Sequence, residues 1–186
     1  MALTPTISIP LGFEAPEFEL RDVVSGNLFK YSHLRGEKGT LVMFICNHCP
    51  YVIHIRAELI RLAKDYRDKG IGFIAISSND IENYPEDAPD KMKLLAEEEN
   101  FPFPYLFDET QEIARAYDAA CTPDFNLFDA NNLCVYRGRL DDSRPGKDIP
   151  VTGKDMRDAL DKILRGEEIS VRQMPSMGCN IKWKTR

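Results

Sequence analysis

The sequence predicts an α/β fold, a central mixed β-sheet with helices on both faces, on three observations. Two continuous apolar runs, residues 40–45 (T-L-V-M-F-I) and 71–77 (I-G-F-I-A-I-S), have the length and composition of strands covered on both sides. Between them Val52, Ile55, Leu59, Leu62 and Tyr66 recur at spacings of three and four, the stripe of an amphipathic helix. Strand, crossover helix and strand make a right-handed unit with a parallel pair. Farther on, a hairpin pattern adds antiparallel strands, so the sheet is mixed.

The elements follow in order. Residues 18–36 predict an N-terminal hairpin, F-E-L-R-D-V turning at Ser25-Gly26-Asn27 into L-F-K-Y. The crossover helix is expected from Pro50 to about Lys69, with Gly70 as its left-handed stop. Residues 78–90 are polar and contain two prolines, which predicts an exposed loop. A short helix over 91–100, a strand over 105–107 and a helix over 111–120 follow. After Cys121-Thr122-Pro123, F-N-L-F-D and L-C-V-Y-R flank A-N-N and predict a β-hairpin. Thr152 is the expected N-cap of a last helix striped by Met156, Ala159, Leu160 and Ile163, and Gly166 ends it. One domain over 1–186 accommodates all of this, with 167–186 as a C-terminal extension.

A net charge of −6 argues against nucleic acid or an anionic membrane as the main partner. The basic I-K-W-K-T-R segment reads as a solvated tail. Apolar runs fall short of the roughly 20 residues a membrane helix needs. The N-terminal M-A-L-T-P-T-I-S-I-P lacks the basic and apolar regions of a signal peptide, so a cytoplasmic location is expected. Five cysteines cannot all pair within one chain, and in a reducing compartment they read as packing, redox or metal groups. Cys134 lies in a strand-like alternation and is assigned to the core.

The chemistry concentrates in F-I-C-N-H-C-P-Y-V, residues 44–52. Strand ends that run into helix starts are where α/β folds place their sites. Proline is favoured at the first helical position, so Pro50 puts Cys49 at the N-cap, near unsatisfied N–H groups and the positive end of the helix dipole. Both stabilise a thiolate. Cys46, at the strand exit, receives little of that field. Position therefore nominates Cys49 as nucleophile and Cys46 as its partner, the reverse of the usual dithiol order. Lowering a thiol from about 8.5 to roughly 6.5 raises the ionised fraction about tenfold. A Brønsted slope of about 0.5 takes roughly as much back in nucleophilicity. The gain lies in leaving-group quality and redox poise, which suits reversible exchange.

These residues also carry a resemblance. Ala15-Pro16-Glu17-Phe18-Glu19-Leu20 is similar to the opening of the alkyl hydroperoxide reductase/thiol-specific antioxidant (redoxin) family. F-I-C-N-H-C-P-Y-V, C-T-P-D-F and P-S-M-G-C-N-I-K-W-K resemble a peroxiredoxin-like subgroup of thioredoxin-fold proteins. The resemblance implies a thioredoxin-like fold with an N-terminal hairpin extension, and it aligns Cys49 with the peroxidatic position. It implies that Pro123 is a cis-proline beside the site and that Thr122 presents backbone to a bound disulfide or peptide. Pro50 joins these two as a substrate-contacting residue. Where the family has a Thr or Ser, this chain has Cys46, and a thiol is a poor donor to a peroxide. Arg115 and Arg137 are the candidates for the family's arginine, both otherwise read as surface charges.

The leading reading is thus a thiol–disulfide oxidoreductase cycling between the Cys46/Cys49 dithiol and disulfide. Its substrate is a disulfide-bearing protein or a small-molecule thiol, with no cofactor and no metal. The alternative is a thiol peroxidase with Cys49 peroxidatic and Cys46 resolving. Cys121 and His48 are accessory candidates, Cys121 to resolve and His48 to tune the thiols. Cys179 in the tail is read as a free or packed thiol in preference to a resolving one. A third reading takes Cys46, His48 and Cys49 as soft metal ligands with a fourth from Cys121 or Cys179, and a fourth is a non-catalytic partner-binding fold. His33 and His54 are expected in a turn and on a helix surface.

Overall fold

The computed structural model describes residues 3–185. Its elements in chain order are β1 (Leu3–Pro5), β2 (Glu19–Asp22), β3 (Leu28–Lys30), α1 (Tyr31–Leu34), β4 (Gly39–Phe44), α2 (Pro50–Tyr66), β5 (Ile71–Ser77) and α3 (Pro89–Glu98). There follow β6 (Tyr105–Phe107), α4 (Glu112–Ala116), β7 (Cys121–Thr122), β8 (Asp124–Asp129), β9 (Cys134–Tyr136), α5 (Lys154–Arg165) and β10 (Met177–Asn180).

Seven strands form one mixed sheet in the order β3-β2-β6-β5-β4-β8-β9. The pairs β4–β5 and β5–β6 are parallel, and the remaining pairs are antiparallel. The two apolar runs are continuous because each strand alternates between two cores. Leu41 and Met43 of β4, with Phe73 and Ala75 of β5, pack against α2, α3 and α5. Val42 and Phe44, with Ile74 and Ile76, pack on the other face with Tyr31, Ala114 and Tyr117. Helices cover both faces, as the sequence predicts. The N-terminal hairpin forms as expected, with Gly26 at φ +73° in its turn. Helix α2 ends through a short 3₁₀ turn, and Gly70 takes the left-handed conformation (φ +92°). No helix among the described residues is long and apolar enough to cross a membrane.

Several expectations need correction. The segment 78–90 is exposed only in part: Glu82, Asn83, Pro85, Glu86 and Asp90 face solvent, but Ser78, Asn79, Asp80 and Asp87 are buried. Their polar groups are paired inward: the Asn79 Nδ2 amide donates to Asp87 Oδ2 (2.7 Å) and the Asp80 N–H to the Lys182 carbonyl (2.8 Å). Polarity and proline mark a turn, but satisfied polar groups can turn inward. The helix predicted over 111–120 is shorter because Asp118 adopts φ +49°, while the Ala119 N–H bonds back to the Ala114 carbonyl. The N-cap of α5 is Gly153 (φ +65°) rather than Thr152, whose hydroxyl accepts the Lys154 N–H at 3.3 Å. Both N–H groups of Thr152 and Gly153 reach Asp141 Oδ2 at 2.7 Å, which holds that bend.

The basic tail is not simply solvated either. Ile181 and Lys182 are buried, and β10 lies in a second, three-stranded sheet between β1 and β7. Arg137 is not a surface charge. Its guanidinium donates to the carbonyls of Ile7, Tyr117 and Asp118 and to Asn126 Oδ1. Arg115 stacks on Trp183, 4.2 Å from the ring centroid. His54 lies on α2 with Nε2 3.2 Å from Ser143 Oγ, and His33 sits in the one-turn α1. Cys134 is in the core, as expected.

Candidate active site

Register brings the site together. Phe44, the last residue of β4, pairs with Ile76 on one side and Asp124 on the other, so the chain leaving β4 passes the Thr122-Pro123 turn. That peptide bond is cis. Cys49 is the N-cap of α2 with Pro50 at the first helical position, and its carbonyl accepts the N–H groups of Val52 and Ile53 at 3.0 and 2.9 Å. Cys46 and Cys49 are both buried, and Pro50 is exposed.

Thr122 touches both sulfurs. Its hydroxyl lies 3.3 Å from Cys46 Sγ, and its carbonyl accepts from Cys49 Sγ at 3.1 Å. The Cys49 thiol is lowered to about 4. The Cys46 thiol hydrogen bond contributes most, burial opposes it, and the Cys179 thiol and the N–H groups of Val52 and Cys179 add to it. The Thr122 carbonyl favours the protonated thiol, but it is outweighed by the donors, the Cys46 thiol first among them. Cys46 moves the other way: donation to Cys49, burial and the negative Asp87 push it well above the usual thiol range. One sulfur is thus poised as a thiolate and its neighbour held as a thiol.

His48 completes the turn. Its Nδ1 lies 2.7 Å from Asp87 Oδ2, and its ring stacks on Tyr84 with centroids 5.5 Å apart. The Asp87 hydrogen bond raises the imidazole above its ordinary value, burial opposes, and the Asp87 and Cys49 charges add to the rise. Burial pushes the Asp87 carboxyl up, but the bonds from His48, Asn79 and the Asn47 N–H leave it below the usual carboxylate value. An imidazolium beside Cys49 favours the thiolate in return. Tyr105 fixes the same turn through its hydroxyl to Asn47 Oδ1 (3.1 Å).

Cys121 is buried and turned toward Thr6 Oγ1 (4.0 Å) and the Pro123 carbonyl (3.5 Å), and burial pushes its thiol far up. Cys179 is a packed thiol, buried in the core, and it bonds to Cys49. Asp87 and Asn79 were not legible in the sequence. The rule that placed Cys49 after β4 applies equally to the segment after the adjacent parallel strand β5, and would have pointed to them.

Among the described residues, Cys46, His48 and Asp87 are the one group with three ligand atoms within 4.8 Å of one another, the arrangement a metal ion would need. Asp87 already accepts from Asn47, His48 and Asn79, and the group does not include Cys49. Three ligands fall short of the four a structural zinc takes, and two of them, His48 and Asp87, are already paired with each other.

A mixed sheet flanked by helices, with paired cysteines at a strand-to-helix junction facing a cis-proline, defines a thioredoxin-like protein. The chain belongs to the AhpC/TSA family, whose model matches residues 11–137. Among curated protein sequences none matches. The structure is similar to that of an uncharacterized conserved protein from Geobacillus kaustophilus, at 55% identity and TM-score 0.98, covering 100% of this chain and 98% of that one. A hypothetical protein from Sinorhizobium meliloti 1021 is 43% identical, TM-score 0.96, with 98% and 100% covered. The thioredoxin domain of a thiol-disulfide oxidoreductase from Bacteroides vulgatus shares the fold at 19% identity and TM-score 0.65, with 84% and 99% covered.

Proposed function

We propose that the protein is a thiol–disulfide oxidoreductase with Cys49 as nucleophile and Cys46 as resolving thiol. The observation that carries this reading is geometric: Cys49 stands at the N-cap of α2, and its sulfur and that of Cys46 both contact Thr122 beside the cis bond to Pro123. Their mutual hydrogen bond pushes the Cys49 thiol down and the Cys46 thiol up. The Cys49 thiolate attacks one sulfur of a substrate disulfide, and the S–S bond breaks to release the first thiolate. Cys46 then attacks Cys49 Sγ, forming the Cys46–Cys49 disulfide, and its proton leaves with the second substrate thiol. Two electrons pass to the substrate. His48 and Asp87 are positioning residues that hold the turn and its charge. A disulfide-bearing protein or a small-molecule disulfide fits as substrate.

Peroxide reduction is the second reading, favoured by the family match and by the acidity of Cys49. Against it, Cys46 stands where a hydroxyl donor would be, the Thr122 hydroxyl is engaged with Cys46, and Arg137 and Arg115 have other partners. Peptide mapping after treatment of the reduced protein with glutathione disulfide tests the proposal. A Cys46–Cys49 disulfide in the wild type is expected, with hydrogen peroxide consumed no faster than by a free thiol. Cys49 left unmodified while other cysteines react would contradict it.

A further inference from the structure

The residues just before Pro123 offer a short backbone edge, the kind of edge to which an extended peptide adds as a strand. In this structure that edge is already occupied by the chain itself. Strand β10 runs antiparallel to β7, with Cys179 paired to Thr122 and Asn180 to Cys121. The fit is close. A Cβ on Gly178 would lie 2.0 Å from the Thr122 carbonyl oxygen, so only glycine lets the backbone lie flat on the Thr122-Pro123 peptide. The Ser176 hydroxyl donates to the Pro123 carbonyl at 2.7 Å, and the Thr6 N–H donates to the Ser176 carbonyl at 2.9 Å. On its far side β10 is held by β1, with Leu3 opposite Cys179.

This docking sets a cysteine where a substrate cysteine would lie. The Cys179 thiol and N–H both bond to Cys49 Sγ, as the Cys46 thiol also does. Thr122 joins the three: its hydroxyl contacts Cys46, its carbonyl contacts Cys49, and its backbone is paired with Cys179.

We infer that Cys179 is a second resolving thiol, which forms a disulfide with Cys49 in competition with Cys46. The inference rests on the proposed role of Cys49 as nucleophile. In the step, Cys49 already carries a substrate sulfur as a mixed disulfide. Cys179 Sγ attacks Cys49 Sγ, the Cys49–Cys179 bond forms, and the bond to the substrate sulfur breaks. The substrate leaves as a thiol with the proton from Cys179. Two protein thiols have been oxidised and one substrate disulfide reduced to two thiols. Attack by Cys46 on Cys49 of that bridge releases the Cys179 thiol, so the tail is joined covalently in one oxidised form and held by strand pairing alone in the other.

The experiment uses the full chain with Cys46→Ser, reduced and then treated with glutathione disulfide, followed by acid quenching and non-reducing peptide mapping. Cys46→Ala is run alongside, so that a folding defect of either variant does not decide the result. The expected result is a Cys49–Cys179 linked peptide, with two glutathione molecules released per chain. The Cys46→Ser/Cys179→Ser double variant is expected to stop at one glutathione adduct on Cys49, with one released. A lasting adduct on Cys49 of the single variants, with Cys179 still reduced, would overturn the inference and leave Cys49 as nucleophile. Cys49 unmodified in every variant would overturn both.

Discussion

Replacing Cys49 by serine is expected to lower the rate of disulfide reduction by about a thousandfold or more, as loss of a covalent nucleophile does. The loss would be chemical rather than structural. A serine hydroxyl in the same place can donate to the Thr122 carbonyl, which lies 3.1 Å from Cys49 Sγ, and the Pro50 start of α2 is untouched. The hydroxyl cannot ionise near neutral pH, so the attacking anion is gone. Cys46→Ser should behave differently, because Cys46 acts after the first bond has formed. Single-turnover reduction of glutathione disulfide measures the first attack. A Cys49→Ser protein that retains a substantial fraction of the wild-type rate would place the nucleophile elsewhere.

Gly178→Ala is expected to speed alkylation of Cys49 by roughly tenfold or more, the factor that corresponds to about 1.4 kcal/mol off the free energy of local opening. Cys49 is fully buried, so a reagent reaches it only when its cover moves. The atoms a new Cβ would strike are the carbonyl O and C of Thr122 and the N of Pro123, at 2.0, 2.6 and 3.0 Å. These are backbone atoms beside the sheet, which cannot swing aside as a side chain could. Strand β10 has to lift instead. Thermal stability should fall with it, by about 2–4 °C for each kcal/mol in a chain of this size. Iodoacetamide labelling with peptide mapping reads the effect. An unchanged labelling rate would mean that some element other than β10 covers the sulfur.

The parts of the site legible in the sequence are those made by neighbours along the chain. Cys49 and Pro50 are adjacent, so the helix start and the cysteine at its N-cap follow from local rules. Likewise, the alternation of Leu41, Val42, Met43 and Phe44 between two cores follows from a strand apolar on both sides. Cys179 and Asp87 are different. Asp87 reaches His48 across 39 residues, from a segment whose prolines and acids describe only a turn. Cys179 reaches the site because β10 adds to a two-residue strand too short to leave a pattern. Arg137 could not be read as buried from composition, since what surrounds it is a set of carbonyl acceptors drawn from two distant segments, Ile7 and Tyr117-Asp118. The cis-proline was implied by resemblance and not by any local signal.

The central claim is that the sulfur at the start of α2 is an anion at neutral pH. Thiolate absorbance near 240 nm, followed from acid to alkaline pH in the reduced wild type and in Cys49→Ser, tests it directly. The difference between the two should titrate with a midpoint well below 7, in line with a Cys49 thiol lowered to about 4. A difference that titrates at the ordinary thiol value of about 8.5 would contradict the account.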